Sequence, residues 1–226
     1  MNIEQQNRFK DAPWFPEKDE TVMVGGAGGI GSWLSFFLVR AGFHPYVYDF
    51  DKIEVHNLGG QLFRNEDVGK YKTQAIDEII RTFAGVHINA VNQAINLESP
   101  THHFCFSAFD NMKARKEFFQ VWKRSIENCP VTPIFIDGRL EMEQLQIFCV
   151  TPDKADEYEK EHLFSDVDVP DAPCTMRQTS HTAAHISSLM VEFFTNHITN
   201  IYERENIRFV PFYYEFFTPL ALTTCP

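Results

Sequence analysis

The chain has 226 residues, and its 31 acidic side chains outnumber the 20 basic ones to give a formal net charge of −11. This charge argues against a nucleic-acid partner held through phosphate contacts and against an anionic membrane surface. Hydrophobic residues make up 44% of the chain and aromatic residues 14%, which suits a folded protein with a sizeable core. No apolar run approaches the ~20 residues of a membrane span. The polar beginning of the sequence lacks the apolar segment of a secretory signal, so we expect a cytoplasmic protein.

The predicted strands and helices alternate along most of the chain. Short apolar or alternating segments predict strands at 21–24, 46–48, 87–94, 104–108, 134–137, 145–150 and 209–217. Apolar residues at helical spacing predict helices that include 34–41, 75–83, 112–126 and 186–201. Such alternation is typical of an α/β fold with a Rossmann-like, doubly wound and mainly parallel sheet. We expect the C-terminal half to extend this sheet with antiparallel strands.

We expect the whole chain to form one domain with three parts. Residues 21–150 would form a nucleotide-binding core, and residues 174–226 would form a C-terminal helix and strand. Between them, residues 151–173 hold eight acids and two lysines and show little periodicity. That composition predicts an exposed acidic crossover loop.

The five cysteines are odd in number, are scattered, and include no CxxC pair. We therefore expect neither a disulfide framework nor a zinc site, and free thiols suit a cytoplasmic protein. His181 and His185 have helical spacing, but Thr182 stands where a zinc protease would carry glutamate. Polar packing at the start of a helix is the simpler interpretation of the two histidines.

A glycine-rich segment follows the first predicted strand and opens the first predicted helix. It runs from Gly25 to Gly31 and contains the GxGxxG spacing at Gly26, Gly28 and Gly31. Small residues let the backbone approach a phosphate, and the helix N-terminus offers N–H groups and partial positive charge. Asp49 comes 18 residues after Gly31, at the end of the second strand, where an acid can bind a ribose hydroxyl. The pattern indicates a nucleotide site and leaves NAD and ATP open.

Further motifs follow the glycine loop and separate these two cofactors. They are a GxGGIGS loop at Gly26–Ser32, an acid pair at Asp49 and Asp51, an Asn-Leu-x-x-Gln segment at Asn57–Gln61, an Asp-x-Gly-x-x-Lys motif at Asp67–Lys72, and an Asp-Asn pair at 110–111 with Arg115 downstream. Together they resemble the ThiF/MoeB/HesA superfamily of ATP-dependent activating enzymes. The motifs occur in the family's order up to about Arg115, and the similarity weakens beyond that residue.

The resemblance implies an enzyme that adenylates the C-terminal carboxylate of a small ubiquitin-like or sulfur-carrier protein ending in glycine. A carboxylate is already ionised at neutral pH, so the reaction needs fixed cations, Mg²⁺ and backbone N–H groups rather than a general base. By resemblance, Lys72 is the catalytic cation and Asp110 holds Mg²⁺. Considered one at a time, Lys72 would be interpreted as a surface lysine and Asp110 as a helix N-cap. Asp49 would contact the ribose, and Asn57 would contact the phosphates or order its loop. The residues that the resemblance places at ATP are Gly26, Gly28, Gly29, Gly31, Asp49, Asp51, Asn57, Gln61, Lys72 and Asn111.

One position departs from the family pattern. The arginine that members carry before the glutamine falls at Gly60, so the usual cation is absent. Arg64 is one substitute, and Arg8 is another, because Arg8-Phe9 resembles an Arg-Tyr pair that reaches the partner subunit's site in bacterial members. Family members are normally dimers, so we expect a homodimer in which Arg8 acts across the interface.

Cys174 is the candidate catalytic thiol. The run Pro173-Cys174-Thr175 resembles the Cys-Thr step of activating enzymes that pass the adenylated carrier to their own thiol as a thioester. A place near a helix start with Arg177 close by favours the thiolate. The alternative is a small buried residue without chemistry.

Two other classes of function stay open at this point. A nucleotide-binding but inactive interaction subunit would follow if neither Arg8 nor Arg64 reaches the phosphates. An NAD(P)-dependent oxidoreductase would explain the glycine loop and Asp49, but it gives no role to Lys72 or Asp110.

Overall fold

A computed structural model describes residues 9–15, 20–127, 129, 131–164 and 179–225 of the chain. The strands are β1 (Thr21–Gly25), β2 (His44–Tyr48), β3 (Asn89–Val91), β4 (Phe104–Ser107), β5 (Ile134–Glu141), β6 (Gln144–Val150), β7 (Tyr213–Phe217) and β8 (Leu222–Thr224). The helices are α1 (Gly29–Arg40), α2 (Lys72–Ala84), α3 (Met112–Lys123), α4 (Ala155–His162) and α5 (Ser180–Tyr202). No helix among the described residues is long and apolar enough to cross a membrane.

All eight strands join one sheet in the order β3-β2-β1-β4-β5-β6-β7-β8. The pairs from β3 to β5 are parallel, and those from β5 to β8 are antiparallel. The α/β prediction of a mainly parallel sheet with an antiparallel C-terminal extension is thereby confirmed. Successive strands are added on one side of β1 up to β3 and on its other side from β4 onwards, so the strand order reverses between β1 and β4. In sheets of this kind, ligands bind at the carboxyl ends of the strands at such a switch point.

Each face of the sheet is covered by its own helices. Helices α1, α2 and α5 cover one face, and the hydroxyl of Ser187 in α5 donates to the carbonyl of Ile30 in α1 at 2.8 Å. Helices α3 and α4 cover the other, where Phe118, Val121 and Trp122 are fully buried as their spacing predicts. Since both faces are covered, the central strands β1 and β4 are almost completely buried, whereas the edge strand β3 is partly exposed.

The acidic segment differs from its prediction in its first part. A 3₁₀ turn at Pro152–Lys154 leads into helix α4, where the sequence predicts a loop. Ala155 and Tyr158 are one helical turn apart and are both buried, and the Tyr158 ring packs against the rings of Phe119 and Phe148. Two inward side chains are enough to dock a short helix whose acids remain in solvent. Because only two inward residues mark this helix, the hydrophobic periodicity of the sequence does not reveal it.

A short N-terminal segment packs at the opposite edge of the sheet from the glycine loop. The ring of Phe9 stacks on Trp14 at 5.7 Å, and Trp14 packs against Phe43 at 6.3 Å between centroids. Phe43 directly precedes β2, so this cluster lies where the parallel strands begin, which we call the amino edge. The carboxyl edge, where β1, β2 and β4 end at Gly25, Tyr48 and Ser107, holds the motifs of the sequence.

Candidate functional site

The glycine loop folds tightly between the end of β1 and the start of α1. Gly26 has a φ of +91°, a backbone conformation that residues with a Cβ rarely adopt. A Cβ at Gly31 would lie 1.8 Å from the carbonyl oxygen of Gly26, so only glycine fits there. Gly28 is the half-buried member of the loop, and a Cβ there would meet nothing closer than the Gln61 amide at 4.0 Å. The loop therefore has structural glycines at its two ends and open space at Gly28.

Asp49 fixes this loop from the end of β2. One of its carboxylate oxygens accepts a hydrogen bond from the N–H of Ala27 at 2.7 Å, and the other accepts from the N–H of Asp51 at 2.8 Å. Burial raises the pKa of Asp49, and nearby Lys72 and the two N–H donors oppose this shift. The acid thus stands beside the glycine loop, as its spacing predicts.

Lys72 lies at the first position of α2 and points at the same place. Its ammonium group is 2.8 Å from Asp51 and 3.9 Å from Asp49, and its side chain is 10% exposed. The backbone N–H of Lys72 donates to the carbonyl of Asp51 at 3.0 Å, which holds the helix start against the acid pair. The structure therefore brings together Lys72, both acids and the glycine loop, and Lys72 is not a surface lysine.

The loop after β2 closes over the start of α1. Asn57 accepts from the N–H of Glu54 at 2.8 Å and so orders a 3₁₀ turn, which is one of its two predicted roles. Gly60 is buried, and its carbonyl accepts from the indole of Trp33 at 3.3 Å. Gln61 keeps a buried side-chain oxygen without a partner in the part of the chain that the structure describes. The glutamine stands next to Gly28 with hydrogen-bonding capacity to spare.

Arg64 belongs to an ion cluster that joins this loop to α2. Its guanidinium donates to both oxygens of Asp67 at 2.8 and 2.9 Å and also pairs with Glu66 and Glu78. Lys70 joins the same cluster at 3.1 Å from Asp67. Burial alone would raise the pKa of Asp67, yet the bonds from Arg64 and Lys70 lower it to about 2. A role for Arg64 at a phosphate would require it to leave these carboxylates.

Asp110 and Asn111 divide two roles between them. The N-cap of α3 is Asn111 rather than Asp110, since its side-chain oxygen accepts from the N–H of Ala114 at 2.9 Å. Asp110 is exposed just past the carboxyl end of β4, and its carboxylate accepts from the Asn111 amide at 3.2 Å. Its carboxylate is thus accessible at the carboxyl edge, beside the glycine loop.

A buried charge network next to Asp110 is not predicted from the sequence. Asp137 in β5 is fully buried and pairs with Arg115 and Arg139. The hydroxyl of Tyr158 in α4 donates to the same carboxylate at 2.9 Å. Burial raises the pKa of Asp137, and the two guanidinium groups more than reverse that shift. The available signal was a pair of charged residues, 137 and 139, in a strand that begins with three apolar residues.

Other predicted residues lie elsewhere or outside the described ranges. Arg8 and Cys174 are outside the residues that the structure describes. The thiols of Cys105 and Cys149 are buried, which raises their pKa. His185 packs on the ring of Phe216, and no group of three or more metal-ligating side chains occurs in the described part of the chain.

These features define an α/β protein of the Rossmann type with a glycine loop, an acid pair and a lysine at one edge of its sheet. The chain belongs to the ThiF family, whose profile matches residues 18–219. Similar sequences include ubiquitin-like modifier-activating enzyme 5 of Dictyostelium discoideum, 31% identical over 94 residues that cover 41% of this chain and 22% of that protein. The enzyme of the same name from Drosophila willistoni is 30% identical over 112 residues, which cover 49% of this chain and 25% of that protein. The chain thus spans about a quarter of these relatives.

Solved structures match almost the whole chain. E. coli MccB with MccA-N7isoASN superposes with a TM-score of 0.70 at 16% identity, covering 99% of this chain and 66% of that one. E. coli MccB with ATP gives 0.66 at 17% identity with the same coverage. PaaA gives 0.66 at 17% identity and covers 98% of this chain and 74% of that one. At such identities the likeness establishes the fold.

Proposed function

We propose that this protein uses ATP to adenylate the C-terminal carboxylate of a small ubiquitin-like or sulfur-carrier protein. The observation that carries the proposal is the position of Lys72, a nearly buried ammonium group beside the glycine loop. Membership of the ThiF family and the sequence similarity to ubiquitin-like modifier-activating enzyme 5 support it. An oxidoreductase would have no use for a lysine held at this edge by two acids.

The residues present fit a nucleotide. Open space at Gly28 and the N-terminus of α1 suit a phosphate group. The side-chain amide nitrogen of Gln61 lies 4.0 Å from the place where Gly28 would carry a Cβ, and it offers a donor to that space. Asp49 would bind the ribose, since it ends the strand next to the loop.

Asp110 would hold Mg²⁺ at the same edge. Mg²⁺ in phosphate sites is bound by one or two carboxylates, substrate phosphates and water rather than by a protein cage. A single accessible carboxylate is what such a site requires, and Asp110 provides it. When bound, the ion would neutralise the phosphates.

The chemistry then needs positioning and charge more than proton transfer. A carboxylate oxygen of the carrier forms a bond to the α-phosphorus, and the bond from that phosphorus to the bridging oxygen breaks. Pyrophosphate leaves with the electron pair, and an acyl adenylate remains. Lys72 would stabilise charge on the phosphoryl oxygens, and the N–H groups at the start of α1 would hold the phosphates.

Arg8 of a second subunit would supply the cation that is missing at Gly60. Phe9, its covalent neighbour, is anchored at the amino edge, about 13 Å of strand away from the glycine loop. This placement favours an arginine that serves the partner's site in a homodimer.

Mixing Arg8→Ala and Lys72→Ala subunits tests whether Arg8 acts in trans, because action in trans leaves one intact site per mixed dimer and restores activity. Action in cis leaves every site with a lesion.

After adenylation, the Cys174 thiolate would form a bond to the acyl carbon of the adenylate. The bond from that carbon to the phosphate oxygen would break, AMP would leave with the electron pair, and a thioester would remain. With ATP and the carrier, Cys174→Ala should still form the adenylate and lose a reductant-sensitive adduct. If wild-type protein forms no such adduct, the reaction stops at the adenylate.

Calorimetric titration with ATP–Mg²⁺ and with NAD⁺ tests the proposed function directly. We expect binding of ATP, and preference for NAD⁺ would overturn the proposal. Exchange of labelled pyrophosphate into ATP, measured with a carrier ending in Gly-Gly, then separates an active enzyme from an inactive nucleotide-binding subunit.

A further inference from the structure

The buried network around Asp137 reaches the backbone beside Asp110. Arg115 donates from Nη1 to Asp137 and to the carbonyl of Gly138 at 3.2 Å, and from Nη2 to the carbonyl of Phe109. Phe109 is the residue directly before Asp110. A chain of bonds thus runs from the middle of β5 to the loop that carries Asp110.

The loop is held on both sides of Asp110. On one side, Arg115 binds the Phe109 carbonyl, and the Phe109 ring occupies the space where Gly25 would carry a Cβ, 2.6 Å away. On the other side, Asn111 caps α3. The Asp110 side chain itself stays exposed between these fixed neighbours. This arrangement fixes the backbone and leaves the carboxylate free for a ligand.

Asp137 is the centre on which this arrangement depends. Its side chain is 0% exposed, and those of Arg115 and Arg139 are 7% and 13% exposed. A charge removed from water is tolerated only when it is paired and hydrogen-bonded, so Arg115 cannot turn away from Asp137 without leaving its own guanidinium buried and unpaired. Arg139 and Tyr158 bind the other carboxylate oxygen and keep Asp137 from rotating.

We propose that Asp137 and Arg115 are positioning residues that set the Asp110 carboxylate for the divalent cation of the nucleotide. The proposal rests on the proposed function, since it needs ATP and Mg²⁺ at this edge. Partners that orient a metal ligand from behind typically change metal affinity by about 10- to 100-fold when altered.

The test compares the gain in ATP affinity that Mg²⁺ provides. ATP binding is measured by calorimetry in EDTA and in MgCl₂ for the wild type, Asp137→Asn, Arg115→Lys and Tyr158→Phe. In the first two variants, we expect the ratio of ATP affinity in MgCl₂ to that in EDTA to fall about tenfold. The affinity for ATP in EDTA should stay unchanged. Tyr158→Phe is the matched control, because it removes a donor from the same carboxylate but makes no contact with Phe109. It should lower the melting temperature and keep the gain.

A purely structural network gives a different result. The Mg²⁺-dependent gain would then survive in Asp137→Asn and Arg115→Lys, or would fall equally in Tyr158→Phe, and either result overturns the proposal. Should Asp137→Asn fail to fold, Arg115→Lys is judged by the same ratio, since it keeps the buried positive charge. A wild type that binds ATP equally with and without Mg²⁺ overturns this proposal and the Mg²⁺ role of Asp110, and leaves the proposed binding of ATP standing. A wild type that binds no ATP overturns the proposed function as well.

Discussion

The parallel half of the sheet (β1–β4) and the antiparallel half (β5–β8) use polar groups in different ways. In the parallel half, the glycine loop, Asp49 and Lys72 all lie at one edge, each at the end of a strand or the start of a helix. In the antiparallel half, Asp137 and Arg139 lie within β5 beside α4, where Asp137 is buried and Arg139 is half-buried. The first set lines the candidate site, and the second set is paired within the protein interior.

This difference explains why one half is rich in recognisable motifs and the other is not. A group at the carboxyl edge must be placed at a fixed distance along the chain from its strand, so its spacing is visible in the sequence. A buried network needs partners from separate elements, here β5, α3 and α4, and no spacing relates them. Mutations at the carboxyl edge should therefore act mainly on ligand binding and mutations in the buried network mainly on stability, with Asp137 and Arg115 affecting both.

The largest expected effect separates two glycines of the same loop. Gly31→Ala should lower the free energy of unfolding by at least about 3 kcal/mol, because its Cβ would lie 1.8 Å from the Gly26 carbonyl oxygen. Gly28→Ala should cost less than about 1 kcal/mol, since its Cβ has open space, and should weaken ATP binding. Urea unfolding and calorimetry measure the two quantities. Equal destabilisation by both variants would contradict this division.

The next effect concerns two neighbouring lysines with different partners. Lys72→Ala should weaken ATP binding by about 10- to 100-fold, since a charged hydrogen bond is worth about 1.5–3 kcal/mol. The matched control is Lys70→Ala, which removes a lysine bonded to Asp67 and Glu78 instead of the acid pair. Its ATP affinity should remain near that of the wild type. Equal losses in the two variants would move the binding cation away from Lys72.

The ion cluster around Asp67 should make stability depend on acid pH. The pKa of Asp67 is lowered to about 2 in the folded chain, so its contribution of about 1–2 kcal/mol is complete above pH ~4 and is lost as pH falls towards 2. Asp67→Asn should remove this contribution at pH 7 and differ less from the wild type near pH 2. Urea unfolding across this range measures it. A difference independent of pH would show that the charge of Asp67 is not the cause.

The smallest effect distinguishes Asn111 from Asp110. Asn111→Ala should lower stability by about 1 kcal/mol through loss of the helix cap. Asp110→Asn should leave stability unchanged and raise the concentration of Mg²⁺ needed for ATP binding. Thermal unfolding and a Mg²⁺ titration at fixed ATP measure the pair. Destabilisation by Asp110→Asn similar to that by Asn111→Ala would give Asp110 a structural role.

Much of the carboxyl edge could be predicted because its groups act through local backbone geometry. The GxGxxG spacing, Asp49 at the end of β2 and Lys72 at the start of α2 all depend on strand and helix ends that hydrophobic periodicity reveals. Arg64 could not be placed in the same way. Whether it faces the phosphates or Asp67 depends on how the loop from 53 to 71 folds, and the structure pairs it with Asp67.

The sequence by itself determined the fold class, the family motifs and the edge at which they gather, since these follow from period, spacing and chain order. Only the tertiary structure decided that α4 forms within the acidic segment, that Asn111 rather than Asp110 caps α3, and that Asp137 joins β5 to the Asp110 loop. These three outcomes depend on contacts between residues distant in the chain or on a choice between adjacent side chains. Their energies arise from burial and pairing in three dimensions, which a one-dimensional pattern does not contain.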